Sequence, residues 1–325
     1  MRHTRGAGCC LLAGMLVATS GFAEEYDFEI GLAFDSAQFD DNQTTTSPGG
    51  TLFNSVKTDT DDLSVFGRWY FAGLSDHKGP RARAVLVDRA SSLSVAYSRS
   101  DQTTSVFRIS DDPSFPFPPL NAEFDSDGDS FAVDFRYVDR DSGWFGNAGW
   151  LTSDITPFGF TDASVDATGW NLGVGKYLFE TTTLGLDVGE VNVTGRANVT
   201  VVEVSFEHLG DLGERWQYAI DIGYNRADRD FGSDLDTWRT AIALYPTRDF
   251  EFGVAVEDGS ANNSFLDNTG IEGFASWFVT PNVRLSARYG VDDVNDSGNL
   301  SFGGATTVRD TDQDSFGISA SIRFK

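Results

Sequence analysis

The sequence predicts an all-β protein, a transmembrane antiparallel β-barrel of about 14 strands, with a range of about 12 to 16. Three observations support this fold class. Apolar and polar residues alternate with a period of two along most of the chain, as in strands with two different faces. The connections between these stretches are alternately long and short. The 325 residues include 34 Gly and 27 Phe but only 2 Met, a composition that favours sheet over helix.

Residues 1–23 are predicted to be a cleaved signal peptide. Arg2 and Arg5 provide its positive start, residues 9–17 form a short apolar run, and Ala23 ends a cleavage site of small residues. The apolar run is much shorter than the roughly 20 residues that a helix needs to span a bilayer. An uncleaved N-terminal anchor is the alternative interpretation.

The exported barrel domain is predicted to occupy residues 24–325. Cys9 and Cys10 are the chain's two cysteines and belong to the signal peptide, so disulfides, thiol catalysis and cysteine-bound metals are excluded. The net charge of −25 argues against nucleic acid as a partner, because phosphate backbones are bound by clustered Lys and Arg. An acidic, cysteine-free exported chain is typical of a Gram-negative envelope.

About 14 stretches carry apolar residues at every second position, and each is predicted to be one strand. In the first, Tyr26, Phe28 and Ile30 alternate with acidic or small residues, so one face is apolar and the other polar. The stretches are, in chain order, 26–34, 63–71, 93–97, 131–137, 144–150, 170–174, 184–188, 200–206, 216–224, 238–244, 250–256, 271–279, 283–289 and 316–324.

The connections separate a barrel in a membrane from a soluble sandwich or a lipocalin-like barrel. Connections after odd-numbered strands are mostly long and polar: 36–61, 100–128, 154–163, 225–235, 258–268 and 292–313. Those after even-numbered strands are mostly tight: 138–143, 180–183, 246–249 and 280–282. Long loops at one end and short turns at the other are typical of outer-membrane barrels, which must close because lipid cannot satisfy an open sheet edge. Aromatics near the strand ends fit interfacial girdles, although they also occur in soluble cores.

One segment carries a resemblance to a known family. In residues 67–97, an aromatic strand end leads through a Lys-Gly-Pro turn and an Arg-Ala-Ser triplet into the next strand. This segment, about a tenth of the chain, resembles the general porins of Gram-negative outer membranes. The resemblance implies a porin, and by analogy a homotrimer. The matching residues are Tyr70, Phe71, Lys78, Gly79, Pro80, Arg89, Ala90, Ser91 and Ser92.

If the apolar faces contact lipid, the residues between them face the interior. Isolated charges cannot be buried in a dry core without a large cost, so we expect a water-filled lumen and passive diffusion of small hydrophilic solutes and ions. Alternatively, many of these charges pair across adjacent strands. The predicted pore-lining residues are Arg68, Arg136, Arg239, Arg284, Arg288, Arg323, Asp27, Glu29, Asp134, Glu203, Asp221, Glu251 and Glu272.

The acidic excess lies mainly in the predicted long connections, at 40–41, 59–62, 111–112, 125–129, 292–293 and 310–314. A negative vestibule would favour cations at low salt, although these residues also suit ordinary solvated loops. The stretch 125–130 superficially resembles a calcium loop, but it lacks the Gly and Glu that an EF-hand requires. Weak binding of Ca²⁺ or Mg²⁺ that bridges these acids to lipopolysaccharide is an alternative interpretation. The expected partners are outer-membrane lipid and lipopolysaccharide.

Two connections are unusual. Residues 112–120 are Pro-rich and apolar, and could constrict the lumen or pack against the rim or a trimer neighbour. Residues 72–92 form a long connection where a short turn is expected, with an apolar run at 84–87. They are interpreted as a short helix or periplasmic plug, or else as a further strand.

Two rival functional classes remain. An enzyme is disfavoured because His77 and His208 both fall at the predicted short-turn end and the chain has neither a nucleophile elbow nor an HExxH motif. We therefore expect no enzymatic activity, no cofactor and no metal site. The other rival is a plugged structural or adhesive barrel whose long acidic loops bind partners.

Overall fold

The computed structural model is a single antiparallel sheet whose strands close into a 14-stranded barrel. It describes residues 25–47, 50–75, 79–110, 119–156, 165–194, 198–229, 234–261, 267–295, 300–302 and 305–325. Its strands are β1 (Glu25–Ser47), β2 (Gly50–Ser75), β3 (Ser92–Ser110), β4 (Leu120–Val138), β5 (Trp144–Thr156), β6 (Val165–Phe179), β7 (Thr182–Val193), β8 (Val199–Leu212), β9 (Trp216–Arg229), β10 (Leu235–Thr247), β11 (Phe250–Ala261), β12 (Asp267–Thr280), β13 (Val283–Asn295), β14 (Leu300–Phe302) and β15 (Ala305–Phe324). The predicted fold class is confirmed.

The barrel closes between its first and last long strands. Each strand from β1 to β12 pairs with its successor, β13 pairs with β15, and β15 pairs with β1 over the register from Phe28↔Phe324 to Thr46↔Thr306. The short β14 pairs with β15 outside this ring. Closure leaves no open edge in the barrel wall, which is the requirement for a sheet in lipid. The predicted signal peptide, residues 1–23, lies outside the described residues and stays a prediction.

The apolar residues of the sequence alternation point out of the barrel. Phe28 and Ile30 of β1 are 40% and 43% exposed, whereas Glu29 between them is 5% exposed. Aromatic rings line this outer surface near the short-turn end: Phe28 lies 6.1 Å from Trp69 and 5.7 Å from Phe324, and Trp69 lies 4.7 Å from Phe71. Such a belt is typical of the membrane interface of outer-membrane barrels, and a soluble sandwich would bury these rings instead.

Several strands continue well beyond the predicted alternation. β1 has 23 residues and β2 has 26, whereas about 10 suffice to cross a membrane. The prediction that 36–61 and 100–128 are long loops is therefore wrong for residues 36–47, 50–61, 100–110 and 120–128, and the prediction for 292–313 is wrong for 292–295, 300–302 and 305–313. Backbone pairing between β1 and β2 continues without apolar alternation as far as Ser47↔Gly50.

Five neighbouring strands extend beyond the predicted alternation at the end opposite the short turns. We call these extensions the outer wall; they are residues 36–47 of β1, 50–62 of β2, 100–110 of β3, 120–130 of β4 and 305–315 of β15. The acidic residues 40–41, 59–62 and 125–129 lie on strands of this wall, not on loops as predicted. Thr and Ser residues separate many of the acids, and β-branched Thr is compatible with extended backbone. The negative charge is therefore held on a paired sheet at one side of the barrel mouth.

The connection between β2 and β3 folds into the barrel. After Pro80 the chain makes a 3-10 turn at Arg81–Arg83 and then a helix of 4 residues, α1 (Ala84–Val87). The structure thus shows the short helix and not an additional strand. We call residues 79–91 the lumenal plug. No helix among the described residues has the length and apolar character needed to cross a membrane.

Candidate functional site: the lumen and its plug

Apolar contacts hold the lumenal plug against the inner wall. The side chain of Leu86, 4% exposed, belongs to a buried cluster contributed by β4, β6, β8, β9 and β10: Val138, Tyr177, Leu209, Ala219, Ala243 and Tyr245. Ala84 and Ala90 belong to a second cluster with Tyr26, Tyr70 and Leu74 of β1 and β2. Because the two clusters involve different parts of the ring of strands, the plug crosses the lumen at its short-turn end.

Arg83 provides the principal electrostatic anchor of the plug. Its Nη1 lies 2.6 Å from Glu207 Oε1 of β8, and its Nη2 lies 2.5 Å from Asp221 Oδ2 of β9. Its Nε donates to the Tyr245 hydroxyl at 2.8 Å. Burial acts to lower the pKa of the guanidinium, but Tyr245, Asp221 and Glu207 outweigh it and hold this pKa above its usual value. The predicted pore-lining residue Asp221 therefore contacts the plug.

Hydrogen bonds to backbone carbonyls tie the start of the plug to the turn between β10 and β11. The Arg81 amide donates to the Arg248 carbonyl at 3.0 Å, and Arg248 Nε donates to the Gly79 carbonyl at 2.9 Å. The Arg81 side chain also forms an ion pair with Asp249. On the other side, Arg323 Nη1 of β15 donates to the Arg81 carbonyl at 3.0 Å. The plug is thus bound to both halves of the barrel wall.

The predicted residues Glu29 and Arg323 lie buried at the closing seam, beside the plug. Arg323 Nε lies 3.1 Å from Glu29 Oε2, and the two residues are 3% and 5% exposed. Glu29 also accepts hydrogen bonds from the Tyr70 hydroxyl at 2.8 Å and from Ser321 Oγ at 2.7 Å. Every carboxylate contact is charge-assisted or comes from a buried hydroxyl, which compensates for the burial of charge.

Above the plug lies a cavity of about 660 Å³ that we call the chamber. Four predicted pore-lining arginines, Arg68, Arg136, Arg284 and Arg288, contribute to its wall, and the plug residues Arg83 and Leu86 form part of its floor. The carboxylates that line it are Asp35, Glu207 and Glu251.

The chamber arginines differ in their partners. Arg288 forms an ion pair with Asp35 at 2.8 Å, and Arg284 lies 3.5 Å from Glu251. Arg68 Nε donates to Ser94 Oγ at 2.9 Å. Arg136 donates to the Tyr177 hydroxyl at 3.4 Å and lies 4.4 Å from the centre of the Phe145 ring. Among the described residues, neither Arg68 nor Arg136 has a carboxylate at ion-pair distance.

The remaining predicted residues lie apart from this group. Arg239 and Glu272 form their own ion pair at 3.2 Å. Asp134 and Glu203 are exposed residues of β4 and β8. Asp27 lies at the irregularity near the start of β1, where the register with β2 shifts. The structure therefore brings together four arginines and Glu251 around the chamber, whereas these five residues are not part of its lining.

Three further sequence interpretations concern the stretch 125–130, the two histidines and the Pro-rich connection 112–120. Residues 125–130 lie in β4 as extended chain, which agrees with the rejection of a calcium loop. His208 lies on β8, with Nδ1 2.8 Å from Thr182 Oγ1 and Nε2 3.3 Å from the Tyr218 hydroxyl. His77 and most of 112–120 lie outside the described residues.

Sequence reasoning missed the residues that fix the plug. Arg83 and Glu207 were not singled out, and neither was Tyr245, whose hydroxyl also donates to Glu251 Oε1 at 2.7 Å. The signal was the apolar run 84–87 in a connection at the short-turn end, directly preceded by an arginine. An apolar segment there needs a surface to cover it, and the nearest surface is the interior of the barrel.

Comparisons with known proteins agree with this architecture. The chain is similar to the crystal structure of the Acinetobacter baumannii outer membrane protein Omp33, with 18% identity and a TM-score of 0.52, over 93% of this chain and 100% of that chain. It is also similar to a mutant of the TodX monoaromatic hydrocarbon channel, with 11% identity and a TM-score of 0.50, over 92% and 91% of the two chains. No family model and no curated protein matches the sequence. At these identities the likeness concerns the fold, which is that of an outer-membrane β-barrel.

Proposed function

We propose that the protein is an outer-membrane porin, a water-filled channel for the passive diffusion of small hydrophilic solutes and ions, whose inner end is narrowed by the lumenal plug. The observation that carries this proposal is the chamber. A space of about 660 Å³ lined by ionised side chains is incompatible with a dry core, since unpaired charges need water or a polar ligand. The apolar outer surface places the barrel in lipid, with lipopolysaccharide as a proposed neighbour.

A mild preference for cations forms part of this proposal. The acids of the outer wall stand at the entrance, where they attract cations at low ionic strength. A homotrimer is proposed by analogy with porins, and chemical crosslinking in detergent tests it. A crosslinked sample in which no species is larger than the monomer would contradict the homotrimer.

The plugged structural or adhesive barrel is the second candidate. The plug favours it, because two apolar clusters and the Arg83 contacts hold this segment across the lumen. In the porin, solutes pass the plug, either beside it or after it moves. In the structural or adhesive barrel, the plug closes the lumen to solutes.

Swelling of proteoliposomes in isotonic sugars separates the two candidates. The porin proposal expects swelling rates that fall from arabinose to glucose to sucrose, because a narrow channel sieves by size. Protein unfolded before reconstitution provides the background rate. Background swelling in all three sugars, from protein whose gel mobility shows a folded barrel, would favour the plugged barrel.

A further inference from the structure

We propose that the chamber is a binding site for small organic anions, which it recognises through a carboxylate group. This inference rests on the proposed function only in that the solute must reach the chamber from the outer mouth. It names a solute class for a channel that is otherwise described by size and polarity.

The charge of the chamber is opposite to that of the chain. Its lining contains five arginines, counting Arg83, against three carboxylates, Asp35, Glu207 and Glu251, whereas the whole chain has a net charge of −25. The outer wall carries many of the acids, so the polarity changes along the path from mouth to plug. An anion gains favourable interactions only after it enters the chamber.

Two of the five arginines have spare binding capacity. Arg68 uses Nε for Ser94, and Arg136 uses one Nη for a 3.4 Å contact to Tyr177. A guanidinium has five N–H donors in a planar fork, so most donors on both side chains lack protein acceptors in the described structure. The Nε atoms of Arg136 and Arg284 are buried without a hydrogen-bond partner among the described residues. Buried donors of this kind are costly unless a ligand satisfies them.

The geometry of the site favours a carboxylate. The guanidinium fork pairs with two oxygens in one plane, as in Arg–carboxylate pairs generally. The Arg288–Asp35 pair shows that a carboxylate is accommodated at the chamber wall, since both Nε and Nη2 of Arg288 donate to the same Asp35 oxygen. Phe274 adds an apolar contact surface for the carbon skeleton of an organic solute. The cavity volume lies within the range of about 300–1,000 Å³ that small-molecule sites occupy.

Isothermal titration of succinate into the detergent-solubilised full barrel at low salt tests the inference, with succinamide as the neutral isostere. We expect saturable binding of succinate and no binding of succinamide. The variant R68Q/R136Q should bind succinate at least about tenfold more weakly, because each substitution removes charge-assisted hydrogen bonds. The matched control R99Q/R226Q also removes two arginines. These belong to exposed ion pairs outside the chamber, and succinate binding should be retained.

Three outcomes would overturn the inference: no succinate binding, equal binding by R68Q/R136Q and the wild type, or equal affinity for inorganic sulfate. Gel mobility of the folded barrel shows that each variant is assembled. Failure of the proposed function is a separate result. Succinate binding without solute permeation would support the binding site and refute the channel. Solute permeation without succinate binding would support the channel and refute the binding site.

Discussion

Glu29 shows what a single buried side chain contributes to the barrel. It joins β1 to β15 through Arg323 and Ser321, and it joins β1 to β2 through Tyr70. Losing one member of a buried ion pair leaves the other charge uncompensated, which typically costs about 3–5 kcal/mol. The closing seam should therefore be unusually sensitive at this residue.

We expect E29Q to lower the free energy of unfolding by about 3 kcal/mol, because Arg323 then loses its counter-charge. The measurement is urea unfolding in lipid vesicles. The matched control is D35N, which breaks the more exposed Arg288–Asp35 pair and should cost no more than about 1 kcal/mol. Equal unfolding midpoints for the two variants would show that the buried pair has no special role.

At the residue level, the sequence predicted orientation but not environment. Period two places Arg68, Arg136, Arg284 and Arg288 on the face opposite the apolar residues, since side chains alternate between the faces of a strand, and these four arginines line the chamber. It could not show that Glu29 is buried, because Glu29 contacts Ser321 and Arg323 of β15, far away in the chain, and Arg323 in turn contacts the plug. The odd or even position of a residue along its strand determines the face of the sheet on which its side chain lies. The burial of that side chain depends on what else occupies the interior of the barrel.

In the proposed channel, the lumenal plug is the element that narrows the path for solutes. Leu86 of the plug is 4% exposed, and its cluster includes residues from five strands. Truncating a buried leucine to alanine typically costs about 2–5 kcal/mol, and here that loss weakens plug docking while the barrel wall stays intact.

We expect L86A to increase the frequency or size of single-channel openings in planar bilayers. The control is L172A, which removes the same atoms from a side chain that is 58% exposed on the outer surface. This control should conduct like the wild type. Wild-type conductance for L86A would mean that Leu86 does not control the path through the lumen.

Element boundaries were predicted less well than element existence. The strands were found from apolar alternation, which arises here where one face of the sheet is apolar and the other polar. The strands of the outer wall carry many Thr, Ser and Asp residues and show little of this alternation, although the register from β1 to β4 continues through it. The plug appeared as an apolar anomaly in the sequence, but its docking needs long-range contacts that no local pattern encodes.

For the whole molecule, charge is organised by depth. Many acids of the outer wall are exposed, among them Asp59, Asp61, Asp125, Asp127 and Asp129. Their field is screened over a Debye length of about 30 Å at 0.01 M salt and about 3 Å at 1 M. The chamber arginines lie inside a low-dielectric wall, where screening is weaker. The two regions should therefore dominate ion selectivity under different conditions.

We expect the reversal potential to indicate cation preference at low salt and to shift towards anions as salt rises. The double variant R284A/R288A should remain cation-preferring at high salt, because it removes two of the chamber's positive charges. Reversal potentials measured under KCl gradients at two mean concentrations test this. A preference that is independent of salt and unaffected by the variant would contradict the division of charge by depth.

The central claim is that a water-filled barrel is narrowed at its inner end by the lumenal plug. The most direct test is single-channel conductance in planar bilayers of the wild type and of a variant whose residues 81–87 are replaced by a Gly-Ser linker of equal length. We expect small ohmic steps for the wild type and clearly larger ones for the variant. Equal conductance would contradict the role of the plug, and no current from either folded, inserted protein would contradict the channel itself.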